Sequence, residues 1–319
     1  MTCHFVDRHG VVQTDLSRLA VEERLASGHF FWVDLHRPDE EDFALLRDVF
    51  GFHPLAIEDS QSFGQRAKLE DYDDYVFLVV FGRAPDEDGL VEVHCFYSDR
   101  FLVTVRRDDA PALTELRRHY DEGHYEVTRG VELLHQVVDG LVDSFVPAVA
   151  DLDERLAVIE DEMLSRPDDG QLQDIFRMQR RLGRLRKVIV PQRDLFGRLA
   201  GGGTEIPGMT PEGARYFRDV YDHLVRLAET IDGQRELMNS AVNVYLSSAS
   251  NRATDVMKQL TVIATIFLPL SFVVGFFGQN FPWMVEHIDG WPAFLVLGIG
   301  VELLTVAFLL TFFRRRGWF

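Results

Sequence analysis

Only two cysteines occur in the 319 residues, Cys3 and Cys95, and neither sits in a metal-binding or redox spacing. A disulfide framework is excluded, and a reduced, cytosolic setting for the large domain is the simplest expectation. Catalytic signatures are missing too. There is no nucleophile elbow and no zinc-hydrolase motif, and Gly201-Gly202-Gly203 lacks the Lys-Ser/Thr sequel of a phosphate loop. The chain is not expected to be an enzyme. Positive charge is scarce: 33 Lys and Arg against 51 Asp and Glu give a formal net charge of −18, which repels phosphates and argues against nucleic acid. The start, Met1-Thr2-Cys3-His4, lacks the basic and apolar regions of a signal peptide. No tandem repeat or low-complexity segment is present.

What the chain does have is two long apolar runs near its end. Leu260 to Phe277 contains no charged residue, and Trp291 to Phe313 contains only Glu302. Each is long enough to cross a hydrocarbon core of about 30 Å as a helix, so together they predict a membrane hairpin embedded in a lipid bilayer. The connecting loop, Gly278 to Gly290, has no Lys or Arg. Arg252 and Lys258 precede the first run, and Arg314, Arg315 and Arg316 follow the second. The positive-inside rule therefore predicts a multi-pass protein of the cell membrane with both termini cytoplasmic. Trp283, Trp291 and Trp318 fall at the expected interfaces.

Ahead of the hairpin, residues 1–126 read as an α/β domain. Phe30 to Leu35, Tyr75 to Phe81, Leu90 to Tyr97 and Phe101 to Val105 are rich in β-branched and aromatic residues, as strands are. Asp39 to Phe50 and Pro111 to Tyr120 read as helices between them. Pro85-Asp86-Glu87-Asp88-Gly89 is a hairpin turn, too short and wrongly spaced for a calcium loop, and is expected to be solvated. Residues 127–210 predict a helical hairpin. Its first arm, Glu132 to Leu164, is one long run ended by Ser165-Arg166-Pro167, and Gln171 to Leu199 is the second. Glu160-Asp161-Glu162 faces Arg177, Arg180, Arg181, Arg184 and Arg186 across it. From Pro211 the pattern is helical with no proline until Pro269. An unbroken helix to Phe277 has about 66 residues, or roughly 100 Å at about 1.5 Å each. Residues 211–259 form its stalk and 260–319 the membrane hairpin. Such a rod must pack against copies of itself or other helices, which favours an oligomer.

One stripe of the long helix is lean in bulk and uncharged: Thr254, Met257, Leu260, Ala264, Leu268, Ser271 and Gly275, leading to Gly278. Rings of such side chains about a symmetry axis would make a pore that gates by dewetting. Ordinary packing through small residues explains Ala264 and Gly275 equally well. At the tip stand Gly278, Gln279 and Asn280. Magnesium gives up its waters reluctantly, and a ring of amide and carbonyl oxygens can hydrogen-bond those waters without stripping them. Glu286 and Asp289 in the loop would raise the local cation concentration, or simply form a polar membrane surface. His287 is a single imidazole without partner ligands, a weak zinc signal.

This Gly-Gln-Asn sequence resembles the Gly-Met-Asn motif of the CorA family of divalent-cation channels and transporters, with a Gly-x-Asn variant in the ZntB-like zinc branch. The resemblance extends along nearly the whole chain. It includes His53-Pro54-Leu55 with Glu58-Asp59, Gln65-Arg66-Ala67-Lys68 with Tyr72, Tyr216 to His223, Val244 to Ser248, Val256-Met257-Lys258, and Thr261 to Phe272. The resemblance implies an α+β cytoplasmic domain, a long stalk helix and two transmembrane helices in a funnel-shaped homopentamer. It implies a channel that carries hydrated Mg2+, with Co2+ and Ni2+ as further candidates, into the cytoplasm. Divalent ions shared between subunits would hold it closed, at Asp59 with Asp219 and at a second site suggested by Glu58 and Asp139. Two departures stand out. Gln279 replaces the usual Met, and Thr254 stands where many members present an asparagine ring. A ZntB-like zinc transporter is the alternative within the class, and a membrane-anchored sensor or scaffold is the alternative outside it.

Overall fold

The computed structural model describes residues 2–6, 18–122, 130–165, 168–204, 206–279, 281–288 and 290–318. The contacts divide the chain into two compact units, Met1–Val242 and Asn243–Phe319. The predicted helix stop at Arg166-Pro167 and the boundary between residues 126 and 127 lie outside the described residues.

The first unit is built on a six-stranded sheet: β1 (Thr2–Val6), β2 (Phe31–His36), β3 (Lys68–Asp71), β4 (Val76–Arg83), β5 (Leu90–Tyr97) and β6 (Phe101–Arg106), in the order β1-β2-β6-β5-β4-β3. Only β2 and β6 pair in parallel, with Phe31 opposite Phe101. The four strands read from the sequence, β2, β4, β5 and β6, form the middle of the sheet. They are buried almost throughout, and near-continuous apolar runs suit strands covered on both faces. β1 and β3 are the edges.

Helices α1 (Arg18–Ser27), α2 (Glu40–Asp48), α3 (Pro54–Ser62) and α4 (Pro111–Asp121) accompany the sheet. Asp39 starts α2 with a capping box, accepting from the Glu41 and Asp42 amides while Asp42 accepts from the Asp39 amide. α3 begins at His53-Pro54, and the His53 amide donates to the Tyr75 hydroxyl at 2.8 Å. The connection after α3 is held by Glu92, whose carboxylate accepts from the Gly64 amide at 2.7 Å and the Gln65 amide at 2.9 Å. Glu92 also lies 2.7 Å from His94 Nε2, and His94 Nδ1 lies 3.0 Å from the Ser60 hydroxyl. Ser60 and His94 are fully buried, so this Ser-His-Glu array fixes the position of α3 and has no access for a substrate.

The run from Glu132 to Leu164 is not one helix. It breaks at Ser144-Phe145 into α5 (Gly130–Asp143) and α6 (Val146–Ser165). The Ser144 hydroxyl there accepts the Arg83 amide at the end of β4, at 2.8 Å, and Phe145 is fully buried. α5 lies on β4 at Gly82, where a Cβ would stand 2.6 Å from Leu141. The stretch Gly130–Met163 is apolar enough to cross a membrane, yet half of its most apolar part is buried within this unit.

α7 (Asp169–Ala200) follows and ends at the glycine triplet, where Gly202 has a φ of 74°. Gln192 of α7 accepts the Phe81 amide of β4 at 2.9 Å. Three of its arginines pair with Asp88, Asp151 and Asp232: Arg181 with the first two, Arg184 with Asp88 and Arg186 with Asp232. The turn Pro85–Gly89 is exposed to solvent as expected, yet its acids are also paired. It joins β4 to β5 as expected, but Arg181 and Arg184 dock its acids onto α7.

α8 (Pro211–Phe277) is a single helix of 67 residues, as the absence of proline before Pro269 predicts. In the second unit it is followed by the short α9 (Pro282–His287) and by α10 (Trp291–Arg315), which contains a π-helical stretch at Phe294–Gly300. The C-terminal part of α8 and α10 are the two exposed, strongly apolar membrane spans of the chain.

Candidate cation sites

Along the membrane part of α8, the residues of the predicted stripe all lie exposed on one face. Met257, Leu260 and Leu268 are 65%, 67% and 73% exposed. At about 3.6 residues per turn, the partly or fully covered positions Lys258, Val262, Ile266, Pro269, Val273 and Phe277 fall on the opposite side. The stripe thus lies within the uncovered part of the helix, which also includes the bulkier Ile263, Phe267, Phe272, Val274 and Phe276. The Thr254 hydroxyl donates to the Ser250 carbonyl at 3.0 Å, which leaves its lone pairs outward as acceptors.

The helix ends at Gly278, whose amide bonds the Val274 carbonyl at 2.9 Å. A Cβ at Gly278 would stand 3.0 Å from that same oxygen, a tight contact, so the close exit from the helix favours glycine. Gln279 is exposed, and a tight turn follows in which the Phe281 amide donates to the Gln279 carbonyl at 2.9 Å. Asn280 and Asp289 lie outside the described residues. Glu286 is exposed on α9. His287 stacks on Trp283 with ring centroids 4.9 Å apart, and its Nδ1 lies 3.0 Å from the Trp283 carbonyl.

The acidic candidates of the first unit separate into two groups. Asp59, on α3, lies 2.6 Å from Lys68 Nζ, which also reaches Glu70 at 2.8 Å. Burial alone would lower the Lys68 ammonium, but the hydrogen bonds to Asp59 and Glu70 outweigh it and raise its pKa above the ordinary value. Glu58, one residue earlier, is exposed.

The second group spans α5 and α8. Asp139, Asp143 and His223 each offer a ligand atom, all within 4.8 Å of one another. His223 Nδ1 is 3.0 Å from Asp143 and 4.0 Å from Asp139, and its Nε2 is 3.7 Å from Asp219. Asp139 Oδ1 and His135 Nε2 are buried, have no hydrogen-bond partner among the described residues, and lie 4.0 Å apart. Burial pushes the Asp139 carboxyl above its usual range, with His135 opposing, and burial lowers the His135 imidazole. Oxygen and nitrogen atoms at these separations can share one ion at about 2.0–2.6 Å from each. A dication there would offset the cost of keeping Asp139 charged.

Asp59 and Asp219 therefore stand in separate clusters within one chain, and Asp139 stands with Asp219. Asp143 and His223 are additions to the site. Their signal was present as two i, i+4 pairs, Asp139 with Asp143 and Asp219 with His223, each placing two ligands on one helix face.

The family described as CorA-like Mg2+ transporter protein matches residues 27–315. The chain is 33% identical over 291 residues to a putative metal ion transporter of Bacillus subtilis, covering 91% of this chain and 90% of that protein. It is 31% identical over 297 residues to the cobalt/magnesium transport protein CorA of Thermotoga maritima, covering 90% and 83%. The complete structure of the CorA magnesium transporter from Methanocaldococcus jannaschii superposes with a TM-score of 0.85 at 20% identity, over 100% of this chain and 99% of that one. A family match across nine-tenths of the chain, a shared fold and two exposed apolar spans place it: the protein belongs to the CorA-like family of divalent metal ion transporters, and is not an enzyme.

Proposed function

We propose that the protein is a homopentameric channel that passes hydrated Mg2+, and to a lesser degree Co2+ or Ni2+, into the cytoplasm. The observation that carries this reading is the uncovered stripe from Thr254 to Gly275 on α8, opposite the covered face and leading to Gly278 and Gln279. An uncharged, lean face left bare in one chain is complete only when copies surround an axis. Gly278, Gln279 and Asn280 are then the selectivity filter, and both termini are cytoplasmic, in keeping with Arg314 to Arg316 after the second span. Glu286 and Asp289 would enrich cations at the entrance.

Regulation is assigned to the two acidic groups. Asp59 meets Asp219 of a neighbouring subunit through a shared dication, and Lys68 satisfies Asp59 when no ion is bound. Glu58 joins Asp139 in the second site, which includes Asp143 and His223. The wholly oxygen-donor first site suits Mg2+. The imidazole in the second suits Co2+, Ni2+ or Zn2+ better. That nitrogen donor, with Gln279 in place of Met, favours a ZntB-like zinc transporter as the second reading.

Ion flux into liposomes reconstituted with the protein, run with Mg2+ and with Zn2+, tests both. Mg2+ entry exceeding Zn2+ entry supports the first reading, and the reverse supports the second. No flux of any dication leaves a membrane-anchored sensor or scaffold. The mass of the solubilised complex tests the pentamer separately.

A further inference from the structure

Where α10 ends, Gly317 adopts a φ of 69° and the chain folds back. The Gly317 amide bonds the Arg314 carbonyl at 3.2 Å and the Trp318 amide bonds the Phe313 carbonyl at 3.1 Å, a Schellman motif. The turn lays the Trp318 ring 5.4 Å from Phe313, which is buried, and 5.9 Å from Lys258 Nζ on α8. Lys258 Nζ also donates to the Gly317 carbonyl at 3.4 Å. Between the turn and α8 lies a groove of about 460 Å3, lined by Asp255, Lys258, Gln259, Val262, Ile263 and Trp318. Its lining is ordered along the helix. Polar residues come first, and apolar ones follow toward the centre of the span.

The chain at this turn carries three consecutive arginines. Arg106, Arg118, Arg155, Arg181 and Arg186 of the first unit all have carboxylate partners. Arg314, Arg315 and Arg316 are exposed and form no ion pair among the described residues, and Lys258 likewise faces no carboxylate within salt-bridge distance. Of these four cations Lys258 lines the groove beside Asp255, and the arginines immediately precede the Gly317 turn. Three adjacent exposed arginines next to a groove that is polar at one end and apolar toward the span complement an amphipathic anion.

We propose that this groove binds one anionic phospholipid per subunit. The phosphate is held by Lys258 and the arginine triplet, the glycerol region lies against Trp318, and an acyl chain lies along Val262 and Ile263. Arginine suits the phosphate oxygens because its planar fork donates two parallel hydrogen bonds, and indole settles at the headgroup level. The site is independent of which dication is carried.

Native mass spectrometry of the full-length, detergent-purified protein tests this by counting retained lipids after titration with phosphatidylglycerol or phosphatidylcholine. The wild type should retain phosphatidylglycerol preferentially, by about five-fold or more per site. Lys258→Gln and Trp318→Ala leave the arginine triplet, and hence the topology signal, intact. Each should cut that preference several-fold without changing the number of subunits in the complex. Arg215→Gln, far from the groove in sequence, should leave it unchanged. Equal retention of the two lipids by the wild type would overturn the proposal, as would full preference in both groove variants.

Discussion

Lys68 Nζ lies 2.6 Å from the Asp59 carboxylate, so the acid expected to bind a regulatory cation already holds a cation of its own. Both side chains are about three-quarters buried, at 26% and 24% exposure. A dication arriving at Asp59 competes with an ammonium, and the strength of regulation depends on how readily Lys68 yields.

Lys68→Met should therefore tighten Mg2+ regulation. Removing the ammonium leaves a three-quarters-buried carboxylate unpaired, at a cost of about 1–3 kcal/mol, and an ion bound there recovers it. Limited proteolysis against Mg2+ concentration should show a destabilised protein without Mg2+ and protection at lower Mg2+ than wild type. The double variant Asp59→Asn, Asp219→Asn should lose Mg2+ protection. Full protection in the double variant would make both residues ordinary surface acids.

The cluster on α5 and α8 should couple cation binding to pH. Burial raises the Asp139 carboxyl above its ordinary value, so protons compete with a cation for it more strongly than for an exposed carboxylate as the pH falls. His135 titrates below 6.5, so below that pH the unfolded chain holds the proton more readily than the folded one. Stability is retained above 6.5 and falls as the pH drops through the lowered folded value. Calorimetric titration with Co2+ should give weaker binding at pH 6 than at pH 7.5, and His135→Gln should reduce the acid sensitivity of thermal unfolding. His223→Ala should weaken Co2+ binding more than Mg2+ binding, because only the softer ion gains from the nitrogen.

The two faces of α8 should differ in access. With Cys3 replaced by Ser and Cys95 fully buried, single cysteines report their surroundings cleanly. Cysteines at Ala264, Leu268, Ser271 and Gly275 should react with a charged thiol reagent in the reconstituted protein, and reaction should block flux. Cysteines at Ile266 and Val273 should react slowly and leave flux intact. Equal reactivity on both faces would remove the stripe as a pore lining.

Much of this fold was legible. The buried central strands announced themselves as β-branched, aromatic runs, and the long helix as a segment free of proline. The edge strand Lys68–Asp71 did not, because Lys-Leu-Glu-Asp carries three charges in four residues and gains its pairing from β4. The break at Ser144-Phe145 has one local mark, Pro147 in the first turn of α6, which suits a helix start and removes a bond the preceding helix would need. Tertiary contacts complete it: Ser144 serves the Arg83 amide while Phe145 enters the core. The ion sites show the same division. The Gly-Gln-Asn tip and the stripe are local patterns, whereas Asp139 comes only from the resemblance to the family. That Asp143 and His223 face each other across two helices 80 residues apart in sequence follows only from packing. The partnership of Asp59 with Lys68 likewise required the hairpin of α3 and β3.

The central claim is that hydrated Mg2+ crosses through a filter ending in Asn280. Its most direct test is Mg2+ uptake into proteoliposomes under an inside-negative potential, comparing wild type with Asn280→Ala and Gln279→Met at equal protein incorporation and complex mass. A potential of about 100 mV contributes about 2.3 kcal/mol per elementary charge, hence about twice that for a dication. The account predicts potential-driven Mg2+ entry in the wild type, retained in Gln279→Met and abolished in Asn280→Ala, whose methyl cannot accept hydrogen bonds from hydration water. Wild-type uptake in Asn280→Ala, or no Mg2+ entry in the wild type itself, would contradict it.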